Sequence, residues 1–172
     1  MYLTKGRQRG VIERFAIGGA FAAILHNEPI SPVDVDIFFF LSEKKERLVL
    51  SLEPVYAFAR KHGFQFDHEF INVHGWLLQF VEASHNPLWA DAVSEAGQKH
   101  LEELSVPVID AEYLVAMWLF AGRLKDYQKI AAFMEAGILD EPRLKMLLNK
   151  YGLLLKWERE KWRFAESPDE QH

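Results

Sequence analysis

Two aspartates stand at alternate positions, Asp34 and Asp36, at the head of the apolar run Val33 to Leu41 (VDVDIFFFL). β-Branched and aromatic residues fill that run, so it reads as a buried strand rather than a helix. Side chains alternate faces along a strand, which points both carboxylates one way and Val35 and Ile37 the other. Two carboxylates about 7 Å apart repel each other and lose hydration unless a cation stands between them. The competing reading, an edge strand with two solvated aspartates, sits poorly with the apolar IFFFL that follows. Mg²⁺ suits the pair, because it takes one or two carboxylates plus phosphates and water; Mn²⁺ is the alternative.

Upstream, Arg14 to Ile17 reads as a short strand running into Gly18-Gly19, and Ala20 to Leu25 as a small-residue helix. Glycines at such a bend let the backbone approach a ligand closely, and the start of a helix presents unpaired N–H groups. That makes Gly18 and Gly19 a candidate phosphate cradle. The spacing is neither G-x-G-x-x-G nor a Walker A loop, so it favours neither a dinucleotide nor a P-loop site. Asn27 to Pro32 (NEPISP) is turn chemistry.

The remainder predicts a helix over 52–61 capped by Ser51 and ended at Gly63. Strands follow over 64–73 and 76–81, joined by a hairpin at His74-Gly75, then a helix over 87–97 and a strand over 106–109. Beyond it the pattern is helical only. Asp110 caps a helix with Leu114, Met117, Trp118 and Ala121 on one stripe, and helices over 125–136, 141–151 and 153–163 complete the chain. These elements predict an α+β fold. A small mixed sheet flanked by helices occupies 1–109, a C-terminal helical region packed on it spans 110–165, and 166–172 form a mobile tail.

The 172 residues are 49% hydrophobic with no Cys, which suits a globular chain and excludes a cysteine nucleophile or thiolate metal site. A formal charge of -5 argues against a surface built to grip nucleic acid. No apolar run reaches a membrane span and no signal peptide is evident, so a cytoplasmic protein is expected.

The glycine pair opening a short helix, followed by the D-x-D strand, resembles the nucleotidyltransferase superfamily of DNA polymerase β type. Tyr113 to Asp126 (YLVAMWLFAGRLKD) is similar to the segment YLxAxKLxAGRxKD of bacterial nucleotidyltransferase-like proteins of uncharacterised or toxin–antitoxin type. The resemblance implies that Gly18 and Gly19 hold a nucleoside triphosphate and that Asp34 and Asp36 are catalytic and bind Mg²⁺. It implies that Arg123 and Lys125 reach phosphates, with Asp126 orienting one of them. The reaction implied is Mg-dependent transfer of a nucleotidyl group to an acceptor hydroxyl on a protein, tRNA end or small molecule. The bland reading of Arg123, Lys125 and Asp126 is a surface salt-bridge cluster.

Three positions depart from the family pattern. The strand that supplies a third carboxylate in active members carries Gln79, Pro32 replaces a threonine, and Trp118 replaces a lysine. An amide neither takes a proton nor binds metal as a carboxylate does, leaving Glu69 and Glu82 as substitutes. These departures support the alternative function, a catalytically degenerate nucleotide-binding, antitoxin or partner-binding module. His62, His68 and His74 lack zinc spacing. Lys150, Lys156, Arg159, Lys161 and Arg163 interleave with Tyr151, Trp157 and Trp162, and read as a solvated helix with packed indoles rather than an RNA surface.

Overall fold

Strands Ile12–Gly18 (β1) and Asp34–Leu41 (β2) run antiparallel at the middle of a seven-stranded mixed sheet, joined by helix Gly19–Leu25 (α1). The computed structural model describes residues 12–26, 34–41, 52–101 and 104–162, so the turn read at 27–32 and the Ser51 cap fall outside the described residues. The other strands are Gln65–Asp67 (β3), Phe70–Val73 (β4), Trp76–Glu82 (β5), Gly97–Leu101 (β6) and Leu104–Val108 (β7), in the order β3-β4-β5-β2-β1-β7-β6. β2 lies parallel to β5 and β1 parallel to β7; the other neighbours are antiparallel. Helices Glu53–Lys61 (α2), Pro87–Ser94 (α3), Ala111–Ala121 (α4), Leu124–Glu135 (α5), Glu141–Lys150 (α6) and Leu154–Glu160 (α7) complete it. This is the expected α+β architecture. No helix among the described residues is long and apolar enough to cross a membrane.

Val35, Ile37, Phe38 and Phe39 are buried, as a strand flanked on both sides requires. Buried side chains from β1, β2, α4, α5 and α6, among them Phe39, Leu114, Phe133 and Leu148, belong to one contiguous cluster that joins the sheet to the C-terminal helices. The α4 stripe is a correction: Ala111 to Leu119 are all buried while Ala121 is exposed, so most of this helix is enclosed on every side. Glu112 inside it is satisfied, accepting from the Asp140 N–H at 2.9 Å and pairing with Arg143 at 3.4 Å. Asp110 occupies the cap position, yet its carboxylate accepts from Arg143 at 2.7 Å and caps nothing.

The strand pattern also differs from expectation, and the helix read over 87–97 ends at Ser94, leaving Gly97 to open β6. The run 64–73 breaks into β3 and β4 at His68-Glu69, where His68 takes φ 52° without a glycine to signal the turn. β6 (GQKHL) escapes a hydrophobic pattern because it is an outermost strand with little apolar area to bury. The His74-Gly75 hairpin is as expected, with φ 54° and 92° and the Gly75 N–H donating to Asn72 Oδ1 at 2.9 Å.

Candidate functional site

Register places the two halves of the glycine–aspartate pattern against each other. Gly18, the last residue of β1, pairs with Asp36 on β2, and Asp36 pairs on its other side with Gln79 of β5. Directly paired residues share a face, so Asp34, Asp36 and Gln79 lie on one side of the sheet. Gly19 adopts φ +62°, and a Cβ there would fall 1.8 Å from Asp36 Oδ2. The carboxylate fills the space that any other residue's side chain would need. At Gly18 a Cβ would lie 2.5 Å from the Phe38 ring. Both glycines are dictated by close approach.

The second half of the site comes from the α4–α5 junction. Gly122 ends α4 in the left-handed conformation at φ 68°, and its N–H donates to the Trp118 carbonyl at 2.8 Å. The Lys156 ammonium donates to the Leu119 carbonyl at 2.5 Å, satisfying another open carbonyl of the same helix end. From this fixed turn Arg123 grips Asp126 with two hydrogen bonds, Nε to Oδ2 at 2.7 Å and Nη2 to Oδ1 at 3.1 Å. Asp126 is fully buried, so its carboxylate serves to hold Arg123 in place. Lys125 is exposed on the first turn of α5.

Burial holds the Asp36 carboxyl above its ordinary value of 3.8, and the neighbouring Asp34 charge pushes it further. Lys129, Arg123 and Lys125 oppose that rise, in that order, which brings the junction's cations into the field of the aspartate pair. Lys129 lies outside the glycine, aspartate and Arg123–Asp126 motifs. Its signal was present: it stands one helical turn after Lys125 and three residues after Asp126, on the same side of α5.

Among the described residues neither Glu69 nor Glu82 stands in for a third carboxylate. Glu69 is exposed in the β3–β4 turn, two strands away from β2. Glu82 pairs with Phe39, on the face opposite Asp36, and accepts from the Ser84 N–H at 3.0 Å and hydroxyl at 2.8 Å. Among the described residues no group of three or more His, Asp or Glu is placed to hold a metal ion. The two aspartates, half-buried on one face, remain a fit for a divalent cation that takes its other ligands from phosphate and water.

The C-terminal basic residues are engaged within the chain. Lys150 pairs with Asp91 at 2.6 Å, Arg159 with Glu160 at 3.2 Å, and Lys161 with Glu158. Trp157 is buried as expected, whereas Trp162 is exposed. Arg163 lies outside the described residues.

Stability carries a pH signature of this site. Unfolded Asp36 ionises at its ordinary value and folded Asp36 only above it, so between the two the unfolded chain holds fewer protons and stability falls as pH rises. Removing the charge with Asp36→Asn is expected to raise the melting temperature in EDTA at neutral pH. That advantage should shrink as pH falls through the interval toward 3.8. An advantage that grows on acidification would contradict the burial of this carboxylate.

No family model matches the chain, and no curated protein matches it. Among solved structures, the antibiotic-resistance factor ANT(2'')-Ia in solution is similar over 94% of this chain and 92% of its own, with 12% identity and a TM-score of 0.50. A crystal structure of ANT(2'')-Ia in complex with adenylyl-2''-tobramycin is similar over 87% and 91%, with 13% identity and a TM-score of 0.49. The chain has a nucleotidyltransferase-like fold. At 12% identity the likeness is one of fold and leaves the chemistry to the residues.

Proposed function

We propose that the chain transfers a nucleotidyl group from a nucleoside triphosphate to an acceptor hydroxyl, with Asp34 and Asp36 as the residues that hold Mg²⁺, or Mn²⁺ in its place. The observation that carries this reading is the Asp36 carboxylate set against the Gly19 bend, with Asp34 on the same face and Arg123, Lys125 and Lys129 acting on it. The cation, when bound, draws charge from the phosphate oxygens as it builds up during transfer. The Gly18-Gly19 backbone brings its N–H groups to the phosphates, and Asp126 holds Arg123 ready to meet them. In the reaction the acceptor oxygen bonds to the α-phosphorus, the bond from that phosphorus to the bridging oxygen breaks, and pyrophosphate leaves. Gln79 can orient an acceptor hydroxyl through its amide oxygen but does not take its proton, which passes to water.

The acceptor follows from assay rather than from any residue above. Incubation with α-labelled nucleoside triphosphates and Mg²⁺, against an aminoglycoside, total tRNA and the chain itself, is expected to label one of them. Gln79, paired with Asp36 where a third carboxylate would stand, favours a second reading: a nucleotide-binding module that docks a partner, as an antitoxin does, without transfer. Triphosphate binding with no labelled product under any condition would select it. Gln79→Glu separates the two further, because a carboxylate beside Asp36 adds a metal ligand and a proton acceptor. The variant is expected to bind Mg²⁺ more tightly and to transfer about tenfold faster or more, read by metal titration and initial rates. Unchanged metal affinity would show that residue 79 does not face the pair.

A further inference from the structure

Charges at the α4–α5 junction do not balance within the described residues. Both Asp126 oxygens accept hydrogen bonds from Arg123, yet Lys129 stands 4.0 Å from the same carboxylate. Its side chain is 16% exposed, its ammonium lies 5.4 Å from the centre of the Trp118 ring, and among the described residues it forms no other ion pair. Burial pushes the ammonium below its usual range, which Asp126 and Asp36 offset only in part. An aromatic face and a shared carboxylate are weak compensation for lost hydration. Of the cations acting on Asp36, Lys129 acts most strongly, so this charge is felt at the aspartate face.

We propose that Lys129 is a positioning residue for the substrate's polyphosphate, its half-buried ammonium completing, with Arg123, a cationic seat opposite the Asp34/Asp36 pair. The inference rests on the nucleotidyl-transfer reading and adds to it a residue and a charge requirement. Two carboxylates and a divalent cation are neutral as a set. Arg123, Lys125 and Lys129, three cations against the single Asp126 carboxylate, leave an excess positive charge for the phosphates that follow the reacting one. A triphosphate fits that excess; a monophosphate makes little use of it. Trp118 fixes the height of the ammonium, since it is itself buried and packed edge-on against Phe133 at 5.1 Å.

The test is a binding titration on the full chain with Mg²⁺ and α,β-methylene analogues of the four ribonucleoside triphosphates, in which the bond broken by transfer cannot be cleaved. Nucleoside monophosphates serve as the comparison. Lys129→Met is expected to weaken the triphosphate analogue about tenfold to a hundredfold, the range of a charge-assisted contact. It should change monophosphate binding by no more than about twofold. Lys129→Arg restores most of the triphosphate affinity, which a purely structural role would not require. Should Lys129→Met fail to fold, Lys129→Gln keeps most of the side chain's length and removes the charge. Unchanged triphosphate affinity, or equal losses for tri- and monophosphate, overturns the proposal while the transfer reading stands. A wild-type chain that binds no triphosphate analogue overturns both.

Discussion

An Asp36→Asn variant is expected to lose nucleotidyl transfer by a factor on the order of 10³ or more, the cost of removing an element that stabilises developing charge. The amide keeps the shape of the carboxylate in the space beside Gly19, so the loss reflects charge rather than packing. The same substitution removes the charge whose burial holds the Asp36 carboxyl above its ordinary value. Activity and stability should therefore move in opposite directions, which separates a broken site from a broken fold. Initial rates and melting curves on one preparation read both. A variant that transfers at the wild-type rate would remove the aspartate pair from the reaction.

Gly19→Ala is expected to have the largest effect on the fold itself. An alanine at φ +62° costs about 1–3 kcal/mol in backbone strain, and its methyl would lie 1.8 Å from Asp36 Oδ2. Strain and clash together should lower the melting temperature by roughly 10 °C for a chain of this length. Gly137→Ala is the matched control: φ is +64° and nothing lies within 4 Å, so it reports strain alone. The excess loss at Gly19 over Gly137 measures the contact with Asp36. Adding Asp36→Ala to Gly19→Ala removes the clashing oxygen, so the double variant should be more stable than the sum of the two single effects predicts. Strict additivity would mean that bend and carboxylate do not touch. Nucleotide binding is expected to fall with Gly19→Ala as well, because the backbone we propose to face the phosphates has to shift.

How much of this was legible depends on whether the signal was local. The β2 strand, the Gly18-Gly19 bend, the His74-Gly75 hairpin and the positions of the C-terminal helices follow from β-branched runs, turn residues and helical period in the chain itself. β6 was not legible, because an outermost strand of polar composition has no periodicity to display. Nor was the enclosure of α4: its apolar residues look like a stripe with extras until sheet and helices close around it. Asp110 and Lys156 looked like a cap and a surface cation. One instead anchors Arg143, and the other satisfies a helix-end carbonyl, roles set by partners far away in the chain.

Sequence alone determined that two acids share a face of an apolar strand and that a glycine bend precedes them, because alternation and steric freedom are properties of neighbouring residues. Only the tertiary structure decided that Gly19 presses on Asp36, that Gln79, already the expected counterpart, pairs directly with Asp36, and that Lys129 acts on Asp36. Strand register and the docking of α5 set those distances. Both are fixed by the packing of the whole core rather than by any segment of it.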